Sequence, residues 1–230
     1  MITDRQIQIL NCLIKEYIKT AEPVSSDLLA EKYDFGIRPS TIRLELKNLI
    51  KKGYLEQPHT SAGRIPTDKA YRLFVNQLLE ENWKEREKEI GKIIERCVNE
   101  FETASLLTKH LAEASSVFSA LHFLNKELCW QAGWEEIAKE PEFANQTFLS
   151  SFMNFLEEFD KNIKKLELNS PINVFIGREI PSPKAKNLSL VCSKCQLNDN
   201  KALIVLIGPK RMDYYKNIKL MDSLLKELYD

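Results

Sequence analysis

Residues 38–47 set long cations, short hydroxyls and an apolar side chain close together: Arg38, Ser40, Thr41, Arg43, Leu44 and Lys47. These types suit the edges of nucleic-acid bases. An Arg can donate two hydrogen bonds to guanine, a hydroxyl reaches a base or a phosphate, and an apolar side chain rests on a thymine methyl. A second group follows, with His59, Thr60, Ser61, Ala62, Gly63 and Arg64 in one short segment. On a protruding loop such small residues with one Arg can lie on the phosphate backbone or enter a minor groove. Between Arg38 and Arg72 eight basic residues face only Glu45, Glu56 and Asp68, a local charge of +5 in a chain whose net charge is zero. A basic stripe is an electrostatic footprint for phosphates. A charge run on its own more often marks a solvated helix face.

Other chemistry finds little support. Cys192 and Cys195 form a single CxxC among five cysteines. A zinc site would need two further ligands at matching spacing, and His110 and His122 lie far away in helical sequence. A redox pair is one reading of these thiols; two ordinary cysteines at a strand end is the favoured one. His59 has no nucleophile partner and is assigned to shaping its loop or touching a phosphate. Arg211, Asp213 and Tyr214 gather beside Gly208 and Pro209. They could contact an effector or a chaperone, but a turn that locks a terminal helix is favoured. Neither GxGxxG nor GxxxxGK occurs, and no paired carboxylates or triad suggest an active site. No enzyme activity, cofactor or metal is expected.

The elements that must position these residues can be placed from periodicity. Residues 4–19 predict a helix opened by a Thr3–Gln6 capping box, with Ile7, Leu10, Leu13, Ile14, Tyr17 and Ile18 on one face. Pro23 stops it, and Ser25 or Ser26 caps a short second helix carrying Leu28, Leu29 and Tyr33. A third helix opens at Arg38-Pro39-Ser40 and closes at Gly53, with Ile42, Leu46, Leu49 and Ile50 inward. Tyr54 to Gln57 and Arg64-Ile65 predict a β-hairpin, and a further helix runs from Pro66-Thr67-Asp68 to about Leu79. This order is the layout of a winged helix-turn-helix, with the outer face of the third helix free to enter a major groove.

Farther on, Ile90, Ile94, Cys97, Phe101, Ala104, Thr108 and Leu111 alternate by fours and threes. They predict either a coiled-coil-like seam in one long helix or an ordinary amphipathic helix packing on its own domain, and a contact between two copies is favoured because an inverted repeat needs a two-fold partner. Phe148, Phe152, Phe155, Leu156 and Phe159 predict a helical core stripe. Three strands are expected at 172–176, 188–192 and 202–207, the third central because it is continuously apolar, followed by a helix from Met212 to Leu228. The composition, 43% hydrophobic and 29% charged over 230 residues, is that of a globular protein rather than a disordered one. No apolar run nears the ~20 residues of a membrane span. The start, Met1 to Gln6, lacks a signal-peptide core, so a cytoplasmic protein without membrane contact is expected.

The segment from Gly53 to Asp68, GYLEQPHTSAGRIPTD, resembles the wing signature of the HrcA family of heat-inducible transcription repressors. Glu16-Tyr17-Ile18, Glu22-Pro23-Val24 and Thr41-Ile42-Arg43 fit the same family in register. So do Pro141-Glu142-Phe143, the run from Val174 to Glu179, and the box from Ile207 to Tyr214. The resemblance implies a homodimer that binds an inverted-repeat operator in double-stranded DNA and represses chaperone genes. It also implies the chaperonin GroEL as modulator and relief on heat stress. The implied fold is α+β: a winged helix-turn-helix over 1–80, a dimerising helical region over 81–126 and a reduced GAF-like domain over 127–230. The DNA-binding set read from the helix face and hairpin is Arg38, Ser40, Thr41, Arg43, Leu44, Lys47, His59, Thr60, Ser61 and Arg64.

Three departures stand out. Leu44 replaces the family's usual Asn, exchanging a hydrogen bond to adenine for apolar contact. Arg38 replaces a Ser at the helix N-cap and cannot accept the orphan backbone donors. A long block of the family pattern is missing between about Leu121 and Trp130, which predicts an incomplete regulatory sheet. Two other classes stay open: a winged-helix regulator that senses a small molecule or redox state, and an interaction protein that has kept the fold without binding DNA.

Overall fold

The structure is a computed structural model that describes every residue except 1, 60, 61, 82, 84–86, 98, 127, 164, 165, 198, 199 and 230, and only the backbone of 160 and 162. It is α+β and divides into two compact units, Met1–Gln77 and Leu78–Asp230.

In the first unit α1 (Asp4–Thr20), α2 (Ser26–Lys32) and α3 (Pro39–Lys51) precede the short strands β1 (Leu55–Glu56) and β2 (Ile65–Pro66), and α4 (Asp68–Leu79) follows. Local chemistry sets the ends. Thr3 and Gln6 complete the capping box of α1, and the Ser25 hydroxyl accepts from the Leu28 N–H. Such caps satisfy N-terminal backbone donors that have no partner within the helix. Gly53 adopts a φ of +75° to turn the chain out of α3, a conformation costly for other residues. Ile9, Leu10, Leu13, Ile14, Leu29, Ile42, Leu46 and Leu49 are fully or almost fully buried.

In the second unit α5 (Lys88–Arg96) and α6 (Glu100–Ser115) come first, then β3 (Phe118–Phe123), β4 (Leu128–Ala132), α7 (Trp134–Ala138), α8 (Gln146–Glu157), α9 (Phe159–Ile163), β5 (Asn173–Ile176), β6 (Leu188–Leu197), β7 (Asn200–Pro209) and α10 (Tyr214–Tyr229). The strands form one antiparallel sheet in the order β4-β3-β7-β6-β5. The continuously apolar β7 is central, flanked by β3 and β6. On one face Phe118, Leu190, Cys192, Leu203 and Val205 meet Phe152, Phe155 and Phe159, with Phe148 and Leu156 packed against them. On the other face lie α6 and α10. A sheet covered on both faces explains why β7 reads as an unbroken apolar run from Ala202 to Ile207.

Two expectations are corrected. The stretch 81–126 is not one long helix: α5 ends at Arg96, Asn99 caps α6, Ser116 terminates α6 in a left-handed conformation, and β3 begins two residues later. The seam fails for the same reason. Ile90, Ala104, Thr108 and Leu111 are buried within their own unit, in α5 and in the face of α6 that covers the sheet. The sheet is also larger than the three predicted strands, because β3 and β4 join it. Their alternation was masked by the apolar residues that β3 carries on both faces, all of them buried.

Candidate nucleic-acid interface

The outer face of α3 is built on its inner one. Ile42, Leu46 and Leu49 anchor the helix, so the residues between them turn outward. Arg38, Ser40, Arg43, Leu44 and Lys47 are exposed and Thr41 is half-buried. Leu44 stands 56% exposed, a large apolar side chain with no core to enter. Pro39 occupies the first turn of α3, and Arg38 is its N-cap without any side-chain cap. The first-turn donors of α3 therefore lack the hydroxyl that the N-caps of α1 and α2 provide.

Arg43 is held from a neighbouring helix. Its Nε donates to Ser26 Oγ at 3.4 Å and its Nη2 to Asp27 Oδ1 at 3.3 Å. Both Arg43 and Asp27 are largely exposed, so water screens the pair and the guanidinium keeps donor capacity. Sequence reasoning missed Ser26 and Asp27. They lie sixteen or seventeen positions from Arg43, and no periodicity links them.

Lys52 and Lys69 of the basic segment are engaged inside the unit as well. Lys52 Nζ donates to Gln6 Oε1 at 2.7 Å, and Gln6 Nε2 donates to Glu45 Oε2 at 2.7 Å, tying the start of α1 to α3. Lys69 donates to the Lys52 carbonyl at 2.8 Å and lies 4.3 Å from the centre of the Tyr54 ring. Behind α2, the carboxylate of Glu16, 2% exposed, accepts from Lys32 Nζ at 2.6 Å and from the Tyr33 hydroxyl at 2.8 Å. The hydrogen bonds from Lys32 and Tyr33 hold the Glu16 carboxyl below its usual range. Burial and the Glu16 carboxylate push the Tyr33 phenol up to about 12.

The hairpin is pinned at its base. Val24 and Arg64 exchange backbone hydrogen bonds of 2.9 and 2.8 Å, which adds an antiparallel bridge beside β2. A Cβ on Gly63 would lie 2.4 Å from the Pro23 carbonyl oxygen, so only glycine fits there. Arg64 is thus not on a free tip. Its side chain is half-buried, and its Nε is buried with no hydrogen-bond partner among the described residues. The turn itself is closed by Ala62 N–H donating to the His59 carbonyl at 2.9 Å, and Gln57 Nε2 donates to the Ala62 carbonyl at 2.9 Å. His59 is exposed; Thr60 and Ser61 lie outside the described residues.

The candidates in the second unit are structural. Arg211, 8% exposed, donates through Nε and Nη2 to Glu142 at 2.6 and 2.8 Å and also pairs with Glu140. Burial opposes its charge, but Glu142 and Glu140 outweigh that and hold its pKa above the ordinary value. The Tyr214 hydroxyl donates to the Lys210 carbonyl and meets Ser189 Oγ at 2.7 Å. Asp213 Oδ1 accepts from the Lys216 N–H in the first turn of α10. This is the turn that locks the terminal helix. Burial pushes both Cys192 and Cys195 up to about 12, so neither is a thiolate near neutral pH. Three positions apart on β6, they point to opposite faces of the sheet, which removes the pairing a redox reading needs. Among the described residues no group of three His, Cys, Asp or Glu could hold a metal, and no helix is long and apolar enough to cross a membrane.

Comparison with known proteins gives one family. The model of the "HrcA protein C terminal domain" matches residues 59–218. A "Heat-inducible transcription repressor HrcA" of Clostridium botulinum (strain Alaska E43 / Type E3) is 27% identical over 333 aligned residues, covering 99% of this chain and 97% of the relative. That alignment is longer than the 230 residues here, so parts of the relative have no counterpart. The protein of the same name from Carboxydothermus hydrogenoformans is 50% identical over 101 residues, covering 43% of this chain and 30% of that one. A crystal structure titled as a hypothetical protein at 2.2 Å resolution shares the fold, with a TM-score of 0.82 at 19% identity over 99% of this chain and 98% of that one. A family match spanning well over half of the residues, with relatives of one name, places the chain: it belongs to the HrcA family.

Proposed function

We propose that the chain is a transcription repressor, not an enzyme, that binds an inverted-repeat DNA operator as a homodimer in the cytoplasm and lowers expression of heat-shock genes. The name shared by its relatives supports the repressor role. One structural observation carries the DNA-binding part: α3 buries Ile42, Leu46 and Leu49 and turns Arg38, Ser40, Arg43, Leu44 and Lys47 outward together.

In this reading the first unit is a winged helix-turn-helix, with α3 as the recognition helix and the β1–β2 hairpin as the wing. Arg43 reads a guanine. Leu44 rests on a thymine methyl, where an Asn would have sought adenine. Lys47 and Arg38 neutralise phosphates, while Thr41 and Ser40 fix the helix in register. His59, Thr60, Ser61 and Arg64 meet the backbone from the wing. The second unit is a reduced GAF-like domain through which the chaperonin GroEL favours the DNA-competent state.

A fluorescence-anisotropy titration against the inverted repeat, with a scrambled duplex, several salt concentrations and runs with and without chaperonin, tests this. Selective binding whose log K falls linearly with log salt is expected, tightened by chaperonin. Equal affinity for scrambled DNA overturns operator recognition. Selective binding that ignores chaperonin removes the GroEL part alone.

A further inference from the structure

The two edges of the five-stranded sheet are finished differently. At the β5 edge the Ile176 N–H donates to Glu179 Oε2 at 2.9 Å, and Asn173 Oδ1 accepts from the N–H groups of Asn169 and Ser170. Side chains and the flanking loop thus occupy that edge. At the other edge β4 pairs with β3 on one side, and among the described residues no strand follows on the other. Its sequence, Leu128 to Ala132, has no Lys, no Pro and no charge, the usual devices that keep an edge from pairing.

The side chains of β4 sort by face. Leu128, Trp130 and Ala132 oppose Phe123, Leu121 and Ser119 of β3 and lie on the α6 side. There Trp130 packs 5.8 Å from Phe101 and 5.3 Å from Phe123, centre to centre. Phe101 is 44% exposed and Leu128 41%, so an apolar strip runs out to the edge of the sheet. Cys129 and Gln131 are exposed on the opposite face. Lys126 Nζ lies over this strip, 5.1 Å from the centre of the Phe101 ring, and pairs there with Glu100.

We propose that β4 is a dimer interface: it pairs antiparallel with β4 of a second copy of this chain and joins the two sheets into one. This rests on the homodimer reading above and assigns it a surface. A two-fold contact sets this segment against its own copy, so a net charge on it would meet the same net charge. An uncharged edge is the kind that pairs with its own copy without that repulsion. With the two-fold axis at Trp130, Leu128 faces the second copy's Ala132, Cys129 faces its Gln131, and the two Trp130–Phe101 clusters meet on one face.

The test is molar mass by light scattering for the full chain and for the double variant Leu128→Lys, Gln131→Lys, with melting temperature as a control for folding. The wild type is expected to be a dimer and the variant a monomer with an unchanged melt. A variant that stays dimeric overturns the β4 assignment and leaves the dimer reading intact. A monomeric wild type, alone and on operator DNA, overturns both. Should the variant fail to fold, a short bis-maleimide on the wild type replaces it, because β4 pairing sets the two exposed Cys129 thiols within its reach. A Cys129–Cys129 cross-link in peptide mapping is expected, and a solution dimer without one overturns the assignment.

Discussion

Arg43 on α3 and Arg211 before α10 carry the same side chain, and each meets carboxylate. Arg43 meets the exposed Asp27 through one contact of 3.3 Å. Arg211 is buried and spends Nε and Nη2 on Glu142 and Glu140. The difference teaches that burial, more than residue type, decides whether a cation serves a ligand or the fold. A guanidinium in water exchanges one partner for another at little cost, whereas a desolvated one is committed to its partners. Both arginines stood out in the sequence as candidate contacts; their surroundings separate them.

Arg211→Met should have the greatest effect on folding. It leaves Glu140 and Glu142 beside an apolar side chain, and losing one partner of a buried ion pair costs about 3–5 kcal/mol. Denaturant unfolding of the second unit should show that loss, and a near-neutral result would mean Arg211 is as replaceable as Arg43. Next comes Arg43→Ala, which should cost operator binding ~1–3 kcal/mol and relax the preference for one base pair. Its unfolding free energy should barely move, since an exposed pair is worth roughly 0–1 kcal/mol. Uniform loss on every duplex would reassign Arg43 to phosphate.

A smaller effect is expected within the first unit, where Glu16 is a buried carboxylate. Its folded pKa is depressed by Lys32 and Tyr33. A depressed carboxylate stabilises the fold above its unfolded pKa of about 4.3, and that contribution is lost as pH falls through the folded value. Melting of the first unit should therefore decline on acidification more steeply in the wild type than in Glu16→Gln. Parallel curves would show that Glu16 does not carry the acid sensitivity.

Much of the first unit was legible beforehand, because its signals are local. The Thr3–Gln6 capping box, Pro39 in the first turn of α3 and Gly53 in a left-handed turn each act within a few residues. The inner stripe of α3 then fixes which residues face outward. The second unit was harder to read. A helical seam and a helix face covering a sheet have the same period, so Ala104, Thr108 and Leu111 could not be assigned to either from spacing. Strand β3 is buried on both faces and lacks the alternation that marks a half-exposed strand.

Helix ends in the first unit, the central place of β7 and the basic, hydroxyl-rich segment before a hairpin are all legible in the residue order. Those features follow from backbone capping, periodicity and charge, which act over short distances along the chain. Folding in three dimensions set Ser26 and Asp27 on Arg43, Val24 on Arg64, and Arg211 between two carboxylates. It also turned Cys192 and Cys195 to opposite faces and left β4 at an open edge. Each of these depends on which distant segments meet and on how much water remains between them, and no spacing along one chain encodes that.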